Sequence, residues 1–122
     1  MLISIHPTHP QPRQLSMVAE CLKSGGIIAY PTDTIYGLGC SIFKHDAIEK
    51  ICAIKKVDPE KANLSFICAD LRDLSLYAKS IDNSLFRILK KALPGPFTFI
   101  LPASKEVPKI LQSKKKTIGL RI

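Results

Sequence analysis

The sequence predicts an α/β fold with a partly parallel sheet, and three observations carry that expectation. Short apolar runs of strand length, such as "GIIAY" and "FTFIL", alternate with longer segments whose apolar residues recur at helical spacing. Gly, Pro and Asp stand at the junctions, where helices start and stop. At 122 residues the chain fits one domain, large enough to bury a core without disulfides.

The elements follow in order. Residues 14–24, "QLSMVAECLKS", place Leu15, Val18, Ala19 and Leu22 on one helical face, and Gly25 and Gly26 supply the stop. "GIIAY" reads as a short buried strand that Pro31 ends. Residues 45–56 put Ile48, Ile51 and Cys52 on one helical face, with Lys55 near the C-terminal end. Asn63–Cys68 reads as a second strand. Asp70 is placed to cap a short helix, "LRDLSLYA", and a longer helix runs from Asn83 to Leu93 until "PGP" stops it. "FTFIL" is a third strand, "VPKILQSKKK" a basic helix or turn, and "TIGLRI" a fourth strand. That strand reaches Ile122 in mid-pattern, which predicts a single domain, 1–122, that is incomplete at its C-terminus.

Composition narrows the class. Apolar residues are 46% and charged residues 23%, as in soluble globular proteins. The longest apolar runs, such as Phe97–Leu101, are far shorter than the roughly 20 residues that span a bilayer. Cys21, Cys40, Cys52 and Cys68 form no CxxC pair and have no histidine at zinc-ligand spacing, so they read as small core residues in a reducing cytosol. No metal site is expected from them. The net charge of +8, with the cations clustered late, suits phosphates of a nucleotide or of RNA.

Four stretches carry candidate chemistry. "PTDTIYGLG" follows a strand, where ligands bind in open α/β sheets. Its backbone N–H groups can approach an anion, Thr32 and Thr34 bring hydroxyls, and Tyr36 a ring. The same residues suit a turn in which Asp33 caps a helix and the glycines take positive φ. Spacing alone leaves both readings open. "IKKVDPEKAN" brings Lys55, Lys56 and Lys61 around a turn, as a phosphate site or as a solvated helix end. In "LPGPFTFIL", Thr98 is the polar residue within an apolar run. In "KKKTIGLRI", Arg121 sits in a strand, where a charge wants a carboxylate or phosphate partner. No Ser-His-Asp set, zinc set or Walker loop is present, and His6, His9 and His45 are given no catalytic role. Hydroxyls, glycines and cations suit a site that acts by positioning and charge stabilisation.

In this order, the stretches "PTDTIYGLG", "IKKVDPEKANLSFIC", "LPGPFTFIL" and "TIGLRI" resemble the YrdC-like family, the threonylcarbamoyl-AMP synthases, from about Leu15 to Ile122. The resemblance implies an open twisted mixed sheet with flanking helices and a concave basic face. It implies an enzyme, a nucleotidyltransferase in the cytoplasm, that joins L-threonine, bicarbonate and ATP with release of pyrophosphate, Mg²⁺ accompanying the ATP. A threonylcarbamoyl transferase complex then modifies adenosine in tRNA. Carried over by position, Thr34 and Tyr36 would contact the threonine, and Arg121 its carboxylate or the carbamate. Lys55 and Lys61 would face the ATP phosphates, Thr117 the nucleotide, and Thr98 the pocket wall. Two departures stand out. The family usually reads Lys-x-Arg in the basic block, whereas Val57 holds the third position here. The family's Ser/Asn segment lies beyond the arginine strand, past Ile122. The alternative is a module of the same fold that binds double-stranded RNA or tRNA without synthase activity.

Overall fold

The computed structural model describes Met1–Ile122, which divide into two compact units, Met1–Ile51 and Cys52–Ile122. The architecture is mixed α/β, with two sheets and four α-helices. No helix is long and apolar enough to cross a membrane.

In the first unit, α1 (Pro12–Lys23) opens with proline at its first turn, where the missing N–H costs nothing. It closes as the double glycine requires. Gly25 takes φ +85°, its N–H donates to Leu22 O at 3.1 Å, and Gly26 N–H donates to Cys21 O at 2.8 Å. That is a Schellman closure, in which a left-handed glycine satisfies the last carbonyls. The covered stripe of α1 is Gln14, Val18, Cys21 and Leu22, all only half-buried. The expected face is thus rotated, since Leu15 and Ala19 are exposed.

β1 (Ile28–Tyr30) pairs antiparallel with β2 (Gly37–Gly39), Tyr30 opposite Gly37 and Ile28 opposite Gly39. The sequence reading has no counterpart of β2, because "GLG" has no side-chain alternation to betray a strand. α2 (His45–Lys55) buries Ala47, Ile48, Ile51 and Cys52, and the division between units falls within it. It ends on a second Schellman closure, with Lys56 at φ +54° and Val57 N–H donating to Cys52 O at 3.0 Å.

In the second unit a 3-10 turn, Pro59–Lys61, is capped by Asp58, which accepts from Glu60 N–H at 3.0 Å. β3 (Ser65–Ile67) leads to α3 (Leu71–Tyr77). There Asp70 accepts from Asp73 N–H at 2.8 Å while Asp73 accepts from Ala69 N–H at 3.0 Å, a reciprocal cap. α4 (Asn83–Ala92) starts on Asp82, which accepts from Leu85 N–H at 2.7 Å. β4 (Phe99–Pro102), a 3-10 turn Lys109–Leu111 and β5 (Thr117–Arg121) complete the chain. The sheet order is β3–β5–β4, with β3 parallel and β4 antiparallel to the central β5.

Alternation along this sheet sorts its faces. Phe66, Leu101, Ile118 and Leu120 are buried, Phe66 meeting Tyr77 of α3 edge-on at 5.1 Å. Leu74 of α3 and Leu89 of α4 are fully enclosed as well. Of the cysteines, Cys52 and Cys68 are core residues as expected, while Cys21 and Cys40 are only half-buried; none forms a disulfide.

Candidate functional site

The opposite face of the three-stranded sheet holds the candidate site. Register sets Ser65, Gly119 and Ile100 in one row across β3, β5 and β4, with Ile67 beside Arg121 and Pro102 beside Thr117. Gly119 is there because nothing larger fits. A Cβ at this position would lie 2.6 Å from Ser65 Oγ and 3.1 Å from Thr98 Cγ2. The two hydroxyl residues therefore close in over a bare backbone. The two 3-10 turns, Pro59–Lys61 and Lys109–Leu111, contact each other and contribute to the same surroundings. The result is a pocket of about 320 Å³, within the range of small-molecule sites. Its polar lining includes Asn63, Ser65, Thr98, Gln112, Ser113 and Thr117, with Leu64, Ile100 and Ile110 among its apolar walls.

Thr117 is held in place by Ser113. Their hydroxyls are 2.8 Å apart, and Thr117 N–H donates to Ser113 Oγ at 3.1 Å. Glu60 is the one carboxylate on the wall. Below the sheet, burial pushes the Cys68 thiol from an ordinary 9.0 up to about 11, with Asp73 and then Asp70 adding to the shift. Burial likewise raises the Tyr77 hydroxyl. Both are poorly ionised at neutral pH, and neither lines the pocket.

The expected site residues distribute as follows. Thr98 and Thr117 share the pocket. Arg121 sits two residues beyond Gly119 on the same face of β5, half-buried. Lys61 ends the 3-10 turn whose Pro59 and Glu60 line the pocket, while Lys55 is exposed at the end of α2; neither lysine is itself a lining residue. Lys56 has left the helix for a left-handed turn. Thr34 and Tyr36 belong to the first unit, both exposed on the loop joining β1 and β2.

That loop is built around Thr32. Its hydroxyl donates to Ile35 O at 2.6 Å, accepts from Thr34 N–H at 3.1 Å, and lies 3.1 Å from Thr34 Oγ1. The turn is therefore self-supporting. A strand follows it rather than a capped helix, and neither Gly37 nor Gly39 has positive φ. Both glycines instead make room for the Tyr30 ring, to which a Cβ on Gly39 would come within 2.7 Å.

Asn63, Ser65, Ser113 and Gly119 are pocket residues that the sequence reading did not single out. A glycine inside a strand pattern was the available signal for Gly119, since it marks a close approach. On α2, His45, Asp46 and Glu49 bring ligand atoms within 4.8 Å of one another, all exposed, with His45 and Glu49 3.7 Å apart. Exposed acidic groups on a helix's first turn also answer its dipole.

The second unit is thus an α/β unit with a hydroxyl-lined pocket on one face of its sheet. The family model Sua5_yciO_yrdC, described as "Telomere recombination", matches residues 20–122, and the chain belongs to this family. It is 46% identical over 119 residues to the uncharacterized protein YciO of Escherichia coli K12, covering 97% of this chain and 57% of that protein. It is 36% identical over 110 residues to a threonylcarbamoyl-AMP synthase of Coxiella burnetii, covering 90% and 59%. The solved structure of E. coli YciO matches with a TM-score of 0.88 at 45% identity, over 96% of this chain and 56% of that one. The P. abyssi Sua5 structure complexed with L-threonine matches at 0.81 and 28% identity, over 93% and 33%. The chain thus spans less than two thirds of the length of these relatives.

Proposed function

We propose that the chain carries the substrate-binding core of a threonylcarbamoyl-AMP synthase acting in the cytoplasm. L-threonine's amine attacks the bicarbonate carbon, forming the C–N bond of a carbamate as a C–O bond breaks and water leaves, and a carbamate oxygen attacks the α-phosphorus of ATP. The bond to the β-phosphate breaks and pyrophosphate leaves. The product is passed to a transferase complex that modifies tRNA. The observation that carries this reading is the pocket on β5. Thr98 and Thr117, expected near the nucleotide, line one cavity, and the strand that floors it runs on to Arg121. Identity to named synthases and likeness to a threonine-bound Sua5 support the same reading.

In this scheme Thr117 and Thr98 orient the nucleotide, and Lys55 and Lys61 draw charge from the phosphates as pyrophosphate departs. Arg121 grips the threonine or carbamate carboxylate, and Thr34 and Tyr36 contact threonine. No side chain is assigned a covalent or proton-transfer step. Mg²⁺ arrives on the ATP phosphates. Glu60, the one carboxylate lining the pocket, suits an ion held mainly by phosphate and water oxygens.

The test is pyrophosphate release from ATP that requires both threonine and bicarbonate. Arg121→Ala is expected to weaken threonine binding roughly ten- to a hundredfold, the worth of a charged hydrogen bond, with a much smaller effect on unfolding midpoint. Thr34→Ala is expected to raise the threonine requirement about two- to tenfold, as one neutral hydrogen bond implies. Unchanged threonine affinity in Arg121→Ala removes that residue from the site. A second reading, an RNA-binding module without synthase activity, is favoured by Val57 at the usual arginine position. It is the outcome if no pyrophosphate is released and the chain binds RNA with steep salt dependence.

A further inference from the structure

We infer that Lys114, Lys115 and Lys116 form a phosphate-gripping lip on the β5 pocket, against which the polyphosphate tail of a bound nucleotide lies. This rests on the reading of that pocket as a nucleotide site. Ser113 and Thr117 both line the pocket, and the three lysines are the whole of the chain between them. Each lysine Cα is therefore one or two peptide units, about 3.8 Å each, from a lining residue.

The loop is not a loose, solvated turn. Ser113 and Thr117 hold its two ends together by their hydroxyls at 2.8 Å, and Ser113 N–H donates to Thr117 O at 3.3 Å. Lys116 N–H donates to Ser113 O at 2.8 Å, and Lys116 takes φ +54°. A left-handed backbone at a lysine, beside two like charges, is a strained arrangement that the surrounding hydrogen bonds enforce. All three lysines are exposed. Glu60, the one carboxylate among the lining residues, leaves the cations in excess. The pocket itself offers apolar walls and hydroxyls, suited to a base and ribose. Its lining holds no cation, so the lip adds its charge to that of Lys55 and Lys61 on a nucleotide's phosphates.

Titration calorimetry of the chain with ATP, inorganic tripolyphosphate and adenosine tests this. Replacing Lys114, Lys115 and Lys116 together by Gln is expected to weaken ATP and tripolyphosphate by roughly tenfold or more, as losing three point charges implies, and to leave adenosine unchanged. A control with the same loss of charge on α4, Arg87, Lys90 and Lys91 to Gln, is expected to change ATP affinity less than about twofold, because these exposed residues neither line the pocket nor adjoin a lining residue in the chain and exposed charges are screened. Ser113→Ala, which keeps every charge but frees the loop, is expected to weaken ATP several-fold. Equal losses in the two triple variants, unchanged ATP affinity in the first, or loss of RNA binding with ATP binding intact would each overturn the lip. ATP binding through the loop with no pyrophosphate released keeps the lip and sinks the synthase reading. Normal synthesis and ATP affinity in the lysine variant does the reverse.

Discussion

Gly119 shows how one missing atom makes a cavity. With Ser65 Oγ 2.6 Å and Thr98 Cγ2 3.1 Å from where a Cβ would stand, Gly119→Ala forces both side chains outward. Overpacking of this kind costs about 1–3 kcal/mol, and urea unfolding should show it. In the double variant with Ser65→Ala, the nearer obstacle is gone and most of the loss should return, a coupling that a double-mutant cycle reads directly. Additive losses would mean that the strand, rather than the contact, objects to the side chain. Residues of this type are hard to see in sequence. "TIGLRI" shows a glycine in a strand, but its neighbours lie across the sheet, on β3 and just before β4. Thr98 and Arg121 drew notice because a polar or charged residue inside an apolar strand is conspicuous, whereas Thr117 was nominated only by the family resemblance. Ser113 was not, since its role comes from a bond to Thr117 that only the folded loop reveals.

At the scale of elements, local signals worked where a cap or stop was written into the chain. Asp70 and Asp82 cap α3 and α4, and Gly25 ends α1. Asp82→Ala should destabilise the chain by about 1 kcal/mol, since Leu85 N–H loses its acceptor. Asp82→Asn should retain most of that, and equal loss in both would put the cap's effect in its charge. Local signals failed at β2 and in the face of α1. Three residues with two glycines carry no periodicity, so β2 exists only through pairing with β1. The stripe covered on α1 includes Gln14, a residue that a hydrophobic pattern cannot nominate. The opening loop, "PTDTIYGLG", turned out to be a hairpin held by Thr32, with glycines that clear the Tyr30 ring.

At the scale of the whole molecule, charge is distributed unevenly. Residues 79–121 hold ten of the eighteen lysines and arginines and two of the ten acids, Asp82 and Glu106, so the entire net charge of +8 falls there. Stability should fall at alkaline pH. The Cys68 thiol is raised above its ordinary 9.0 to about 11, so the folded state holds that proton more tightly than the unfolded chain. The stabilisation is complete below pH 9 and is lost as pH rises through 11. Thermal melts across this window should decline, and less steeply in Cys68→Ala; equal slopes would assign the decline to Tyr77, whose hydroxyl burial also raises. What the sequence determined by itself was the α/β class, the Asp70 cap, the glycine stop of α1, the core face of α2, and the family, because these depend on spacing along the chain. Only the tertiary structure decided that β3 and β4 flank β5 and that Ser65 and Thr98 close over Gly119. It also decided that a trilysine loop is pinned at the pocket's edge. Each of these brings together residues far apart in the chain, and contact across a sheet leaves no period in the sequence.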